Sequence, residues 1–351
     1  MNSSAPVPDL SAAIAAALAR LPVGLADDRT RHSLEAIARR LPQALATGPL
    51  GLEIRLAGPT AVDFFAAAIP GDPGFAALIA VLCNPDRQAG WADPVRARDL
   101  AAVLERWQRR EGSLPRVARY LLIEVDAPAD PAGPVAAPGI FLAPRGTRDL
   151  PRPGQLPNAF HRFVEATVMA TAELSGVWPD PATATALARV VETIPDDGDL
   201  FAVGAMVSRA AGSAMRIAIR RLEPESIHTV LRAAGYPRQA DLLAEWAATT
   251  PANKQALHFE IGPGAESRVG LELSPAHDWK QARMQGWPEL LDHLISRSVA
   301  DPDRAAVVTG LIDPVGNPLW GLAHVKVAAD ESGMLPVAKL YVGLLHRSGE
   351  I

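Results

Sequence analysis

The chain has 351 residues and a formal net charge of −5, with 48% hydrophobic and 21% charged residues. This composition is typical of a globular protein with a sizeable core, and the length allows one large domain or two smaller ones. Acidic and basic residues are interleaved without a run of about five or six like charges, which disfavours nucleic-acid-binding and membrane-surface proteins.

The start of the chain lacks the features of a secretory signal. No basic residue precedes Arg20, and Asp9 stands just before the apolar run 12–18. That run is shorter than the roughly 20 apolar residues that cross a bilayer, so we expect a cytoplasmic protein without membrane contact. The single cysteine, Cys83, excludes an intramolecular disulfide. It follows the apolar stretch 75–82, and we expect it to be a small buried side chain.

The first 150 residues predict helices and strands in a somewhat irregular order. Apolar residues at helical spacing, or apolar runs, predict helices at 12–21, 30–41, 62–69, 75–82 and 95–110. Alternating or short apolar segments predict strands at 50–56, 118–125 and 139–143. The segment 144–157 carries four prolines and is interpreted as a linker or a long surface loop.

The remainder of the chain, 151–351, repeats one order three times: two helices, then two strands. The predicted helices are 158–174, 181–193, 224–234, 239–247, 287–297 and 301–311. The predicted strands are 200–208, 214–221, 256–261, 268–273, 322–328 and 336–346. We therefore divide the chain into helix and strand repeats at 1–150 and three regular repeats at 151–351, with one continuous barrel as the alternative.

Short links join the strands of each pair, as at Gly262-Pro263-Gly264. Paired strands are then antiparallel, because parallel neighbours need a long crossover, and doubly wound nucleotide-binding folds are disfavoured. Closing such a sheet removes its edges and gives every strand one apolar face and one face that can be polar. The predicted fold class is α/β (α+β), with repeated helix-helix-strand-strand units and an antiparallel sheet curled inside outer helices.

Polar residues alternate with apolar ones along the later strands. His258 and Glu260, for example, alternate with Leu257, Phe259 and Ile261. The polar face predicted to point inward comprises Glu124, Arg216, Arg220, His258, Glu260, Glu272, His324, Lys326, Lys339 and Tyr341.

A ring of helix-helix-strand-strand units with polar inner strands resembles the PT-barrel (ABBA) prenyltransferases. In that family, basic and tyrosyl side chains on inner strands hold a diphosphate, and further tyrosines shield the allylic cation. Arg216, Lys326, Lys339 and Tyr341 match this pattern in residue type. The resemblance implies transfer of an isoprene unit from an allylic diphosphate to an aromatic or peptide acceptor.

Two features of the sequence oppose that activity. The same face carries Glu124, Glu260 and Glu272, which would pair with the cations and weaken their attraction for a phosphate. The chain also has only three tyrosines, too few for an extensive shield around an allylic cation.

A second resemblance concerns the C-terminal segments 270–273, 287–294, 324–327 and 338–341. They are similar to proteins encoded beside ribosomally made, modified peptides, including peptide-binding accessory proteins of the crocagin type. This resemblance implies a non-catalytic protein that binds a precursor peptide or a small peptide-like ligand without a cofactor. The implied ligand-binding residues are Arg216, Arg220, His258, Glu260, Glu272, His324, Lys326, Lys339 and Tyr341.

Other interpretations of the polar face remain open. The face could line a wet, ion-paired lumen or lie against solvent without any ligand, since half-exposed antiparallel strands show the same alternation. An exposed strand edge could also bind a peptide by main-chain pairing. A purely structural or oligomerising protein is a further alternative, and the sequence leaves the oligomeric state undetermined.

Recognisable catalytic and metal-binding motifs are missing from the sequence. The glycines at 262, 264 and 270 precede a strand where a phosphate loop requires a helix, so a hairpin turn explains them better. Residues 195–199 are interpreted as a polar turn in preference to a cation site. The histidines lack zinc-site spacing and no Gly-x-Ser-x-Gly is present, so neither a metal site nor a catalytic residue is predicted.

Overall fold

The computed structural model describes residues 9–84, 94–127, 138–145, 159–196, 198–206, 214–252, 254–262, 268–275, 286–311, 321–330 and 332–344. The helices of this part are α1 Leu10–Leu18, α2 Asp28–Arg40, α3 Pro73–Cys83, α4 Pro94–Gln108, α5 Leu114–Val117, α6 Ala159–Ser175, α7 Pro181–Glu192, α8 Pro224–Ala234, α9 Pro237–Thr249, α10 Trp287–Ser296 and α11 Pro302–Leu311. A short 3₁₀ helix lies at Gln43–Thr47.

The strands of the described part are β1 Leu50–Arg55, β2 Val62–Ala68, β3 Ala118–Val125, β4 Gly139–Pro144, β5 Asp199–Met206, β6 Met215–Arg220, β7 Lys254–Ile261, β8 Val269–Ser274, β9 Gly321–Asp330, β10 Gly333–Met334 and β11 Lys339–Leu344. The predicted linker 144–157, beyond Arg145, and the turn at 263–264 lie outside the described residues.

The prediction of a helix at 62–69 is wrong, because this segment is strand β2. Val62, Phe64 and Ala66 are buried on one face and alternate with Asp63 and Phe65 on the other. The adjacent alanines 66–68 favour a helix locally, but the link 56–61 is too short for anything except a hairpin partner of β1. With β2 in place, the order of two helices and two strands occurs five times along the chain.

The sheet closes on itself. Ten strands follow one another in the order β1, β2, β3, β4, β5, β6, β7, β8, β9, β11, and β11 pairs with β1 to complete the ring. Every pairing is antiparallel, and the two-residue β10 pairs with β9. The predicted curled antiparallel sheet with outer helices is thereby confirmed as a PT-barrel-like arrangement.

The hydrophobic core lies between the outer face of the barrel and the helices. Leu52 and Ile54 of β1, Phe64 of β2, Phe259 of β7 and Trp287 of α10 all lie in it and are almost completely buried. Because side chains alternate along a strand, the residues between these apolar ones point into the lumen. The core therefore fixes which side chains can meet inside the barrel.

Cys83 differs from expectation, since it is exposed. It is the last residue of α3, whose buried stripe contains Phe75, Leu78 and Leu82. Residue 83 lies off that stripe, and its Sγ is 3.6 Å from Oε1 of Glu105.

As to membrane insertion, none of the described helices combines the length and apolarity that crossing a bilayer requires.

Candidate ligand-binding site

A cavity of about 270 Å³ occupies one end of the barrel lumen. Its rim is formed in part by residues 335–337, which link β10 to β11. The lining consists of Glu53, Arg55, Arg216, His258, Phe259, Glu260, Arg268, Gly270, Lys326, Ala328, Leu335, Pro336, Val337, Lys339 and Tyr341.

Strand register brings these side chains together from distant parts of the sequence. Arg216 of β6 stands opposite Glu260 of β7. Lys326 of β9 stands opposite Lys339 of β11, and the next inward residue of β11, Tyr341, faces Glu53 of β1. The cavity wall is therefore continuous across the junction that closes the barrel.

Glu53 forms the centre of one hydrogen-bonded cluster. The Lys339 ammonium and the Tyr341 hydroxyl each donate to its carboxylate. Burial alone would raise the pKa of Glu53, but Lys339 and these hydrogen bonds lower the pKa to about 2. Burial, followed by the charge of Glu53, raises the pKa of Tyr341 well above its ordinary value, so Tyr341 is a neutral donor.

Glu272 lies between two histidines. Its Oε1 is 2.6 Å from Nε2 of His258 and 3.3 Å from Nε2 of His324. Burial lowers the pKa of His258 to about 4 despite the nearby carboxylate. Burial opposes ionisation of Glu272, but the two histidines lower its pKa well below the ordinary value. The His324 ring also stacks on Tyr341 at 4.4 Å, which joins this cluster to that of Glu53.

Arg216 forms a third cluster at the cavity. Its guanidinium is 3.5 Å from Glu260, and both side chains are largely buried. The guanidinium also lies 5.9 Å from the centre of the Phe141 ring, within the range of a cation–π contact. Arg216 is therefore held by a carboxylate and an aromatic ring at once.

Lys326 is held differently from the other cations inside the barrel. Within the described ranges it has no hydrogen bond or ion pair, and its stem lies flat on Gly270, where a Cβ would come 2.4 Å from Cε of Lys326. Burial, followed by the charge of Arg216, lowers the pKa of Lys326 to about 8. Its ammonium lines the cavity, with Glu272 of β8 opposite it in the strand register, and can receive a ligand anion.

The lining has an excess of positive charge. Five cationic side chains and two carboxylates contribute to it. Two further acids lie inside the barrel on β2 and β3: burial and Glu53 raise the pKa of Asp63 to about 7 and also raise the pKa of Glu124. With five cations against two carboxylates in its lining, the cavity as a whole favours an anionic ligand.

The structure brings most of the predicted inner set to the cavity. Arg216, His258, Glu260, Lys326, Lys339 and Tyr341 line it, and Glu272 and His324 contact the lining through His258 and Tyr341.

Arg220 is separate from this group. It donates to Asp199 at 2.8 and 3.0 Å, is half exposed, and does not line the cavity.

Sequence reasoning missed several residues of the site. Glu53 and Arg55 alternate with Leu52 and Ile54 along a correctly predicted strand, so period-two alternation could have identified them. Asp63 was missed because the segment 62–69 was predicted to be a helix. Arg268 and Gly270 share the face of Glu272 by the same alternation along the predicted strand 268–273, so the pattern placed them inward although they were not counted among the ligand-binding residues.

No protein-family model matches the chain, and no curated protein is similar enough to report. Solved structures of ABBA prenyltransferases do match over nearly the whole chain. A 6-dimethylallyltryptophan synthase from Micromonospora olivasterospora, in complex with DMASPP and Trp, has a TM-score of 0.58 and 12% identity, covering 96% of this chain and 97% of its own.

Two further solved structures agree with that match. The 5-dimethylallyltryptophan synthase from Streptomyces coelicolor has a TM-score of 0.54 and 13% identity, covering 98% of this chain and 99% of its own. AnaPT from Neosartorya fischeri gives the same score and identity, with 98% and 94% covered. At such low identity the likeness shows the fold alone, and that fold is the PT barrel.

Proposed function

We propose that the chain is a non-catalytic accessory protein that takes the anionic end of a peptide-like ligand into its barrel, in the biosynthesis of a ribosomally made, modified peptide. One observation carries the proposal: Arg216 and Lys339 each already face a carboxylate inside the cavity. Because these two cations are already paired, the lining is not a site made only of unpaired cations. The group that it offers to a ligand is the buried ammonium of Lys326.

The charge pattern favours a carboxylate over a diphosphate. A diphosphate carries several negative charges and would have to compete with Glu53 and Glu260 for their partners. A single carboxylate can bind Lys326 without breaking either ion pair. Glu260, at the same cavity, is then available to attract a basic group elsewhere on the ligand.

The size of the cavity and the closure of the barrel restrict how a peptide can bind. A volume of about 270 Å³ is slightly below the roughly 300–1,000 Å³ of ordinary ligand pockets, which suits a chain terminus or one side chain more than a whole peptide. The ten ring strands all have two neighbours, so a peptide cannot add to them as an edge strand. Recognition would therefore rely on side chains at the cavity.

The test is binding of a precursor peptide encoded near this gene, measured by fluorescence anisotropy in free-acid and C-terminally amidated forms. We expect saturable binding of the free acid at about 10 μM or tighter, and roughly tenfold weaker binding of the amide, a loss of about 1.4 kcal/mol. Lys326→Met should weaken binding of the free acid until its affinity equals that of the amide. Arg106→Gln, at an exposed ion pair with Glu173, should leave both affinities unchanged. Equal binding of acid and amide, or no saturable binding, would remove the proposal.

A prenyltransferase is the second candidate, and two observations favour it. The matching solved structures include dimethylallyltryptophan synthases, and five cations line the cavity. Mass spectrometry after incubation with dimethylallyl diphosphate, Mg²⁺ and either tryptophan or the peptide distinguishes the candidates. A mass gain of one isoprene unit on the acceptor would establish the enzyme and overturn the non-catalytic role.

A further inference from the structure

Lysine is rare in this chain, and its placement is uneven. Of the 34 basic residues only four are lysines, at positions 254, 280, 326 and 339. Two of the four line the cavity, and they face each other across β9 and β11. Because arginine supplies positive charge almost everywhere else, charge alone does not explain why these two positions carry an amine.

The two cavity lysines differ in what they contact. Lys339 donates to Glu53 and is part of a hydrogen-bonded cluster. Lys326 has no such carboxylate bond in the described part of the chain; the end of its side chain lies against Gly270, and the residue lines the cavity. Its charged neighbours are the cations Arg216 and Lys339 and the carboxylates Glu272 and Glu53, of which Glu272 stands opposite Lys326 on β8. The two carboxylates favour the protonated amine, but burial and Arg216 outweigh them.

These surroundings suit a reactive amine. A lysine that is buried next to other cations loses its proton more easily, and the neutral amine is a nucleophile. Burial and Arg216 lower the pKa of Lys326 to about 8, so a useful fraction is unprotonated near neutral pH. A guanidinium stays protonated under the same conditions, which explains lysine in place of arginine at this position.

We propose that Lys326 is a covalent capture site, whose Nζ condenses with the aldehyde or ketone carbonyl of a small ligand that also bears a carboxylate. The carbon–nitrogen double bond forms as the carbonyl carbon–oxygen bond breaks, and the oxygen leaves as water with the two amine protons. No oxidant or reductant is consumed. Arg216 and Arg268 line the same cavity and provide the positive charge that attracts the carboxylate.

This inference goes beyond the proposed binding role and does not require the ligand to be a peptide. The test uses glyoxylate, the smallest compound with an aldehyde next to a carboxylate, together with sodium cyanoborohydride to reduce the imine in place. We expect intact-protein mass spectrometry to show one carboxymethyl group per chain and peptide mapping to place it on Lys326. Lys339 serves as the internal comparison and should remain unlabelled.

Two variants sharpen the assignment. Lys326→Arg should lose the adduct while keeping its melting temperature within a few degrees of wild type. Gly270→Ala keeps the lysine but displaces its stem, because the new Cβ would meet Cε of Lys326 at 2.4 Å. We expect it to slow labelling at least several-fold, so the position of the amine is tested separately from its presence.

Three results would overturn the proposal: equal labelling of Lys339 and Lys326, labelling of Lys326→Arg at the wild-type rate, or no labelling of wild type. Propionaldehyde, which lacks the carboxylate, should label Lys326 at least tenfold more slowly, and equal rates would contradict the carboxylate requirement. Failure of peptide binding alone would leave the glyoxylate result intact, so the two proposals fail separately.

Discussion

At the scale of single residues, Asp63 occupies an unfavourable position for an ionised carboxylate. It is buried on β2 and faces Glu53 across the β1–β2 pair. Burial, and then the negative charges of Glu53 and Asp126, raise its pKa from 3.8 to about 7. As pH rises from 3.8 to about 7, the unfolded chain loses this proton while the folded chain keeps it. The free energy of unfolding therefore falls over that range and is lowest above it.

Replacing Asp63 with asparagine should remove this decrease in the free energy of unfolding. The amide oxygen of the new side chain can still accept the hydrogen bond from the Ala127 amide, which is 3.1 Å from Oδ1 of Asp63 in the wild type. We expect Asp63→Asn to raise the free energy of unfolding by on the order of 2 kcal/mol above pH 7, and by nothing below the unfolded-state pKa of 3.8. Urea denaturation across this pH range measures the difference.

The control for this prediction is Asp196→Asn, at an exposed turn. It should change the free energy of unfolding by less than about 0.5 kcal/mol at every pH. A destabilised Asp63→Asn protein at neutral pH, with a difference that persists in acid, would show that Asp63 is ionised and usefully paired inside the barrel.

At the scale of elements, two strand pairs place a phenyl ring over a glycine. Gly51 of β1 stands opposite Phe65 of β2, and Gly204 of β5 stands opposite Phe141 of β4. A Cβ at Gly51 would lie 2.0 Å from the Phe65 ring, and one at Gly204 would lie 2.1 Å from the Phe141 ring. The glycines thus make room for rings that pack across the inner face of the sheet and help to fix the register.

Gly51→Ala should destabilise the protein because the Phe65 ring must leave its position. We expect a loss of about 1–3 kcal/mol in urea denaturation, as for other overpacked sites. The double variant Gly51→Ala/Phe65→Ala should lose less than the sum of the two single changes, since the clash is absent once the ring is removed. Gly24→Ala, whose Cβ would meet Val307 at an ordinary 3.8 Å, is the control. Additive losses would mean that Phe65 does not cover Gly51.

Element by element, the sequence predicted most of the fold but only part of the site. The later repeats were predictable because apolar residues change from helical to alternating spacing at each boundary. β2 was not, because a short apolar run with adjacent alanines fits a helix equally well, and only its hairpin with β1 decides between them.

Which inward residues meet depends on register and distance, and these cannot be derived from alternation. Arg216 and Arg220 share a face of β6 but stand about 13 Å apart at the usual rise per residue. One therefore reaches the cavity, and the other bonds Asp199 away from it. The hydrogen bonds of Glu53 with Lys339 and Tyr341 join residues nearly 290 positions apart, and no local sequence pattern predicts them.

At the scale of the whole molecule, the closing pair β1–β11 joins the first and the last strand of the described residues. Leu50 pairs with Leu344 and Arg55 with Lys339, and on its other side β11 pairs with β9. Arg304 of α11 reinforces the junction by donating to the carbonyls of Arg55 and Gly58. The last strand of the described residues, β11, is therefore interior to the sheet and not an edge.

A proline in the middle of β11 tests this closure. Val342 stands opposite Leu52 of β1 on one side and Leu322 of β9 on the other. Proline lacks the amide proton and is tolerated in sheets at edges but not between two partners, so Val342→Pro should cost about 3 kcal/mol or more. Val342→Ala loses the buried side chain but keeps the amide, and its cost should be clearly smaller. Circular dichroism melting curves compare the two. If the proline and alanine variants had the same melting temperature, β11 would have one unpaired side. The cavity that depends on the β11–β1 junction would then be open.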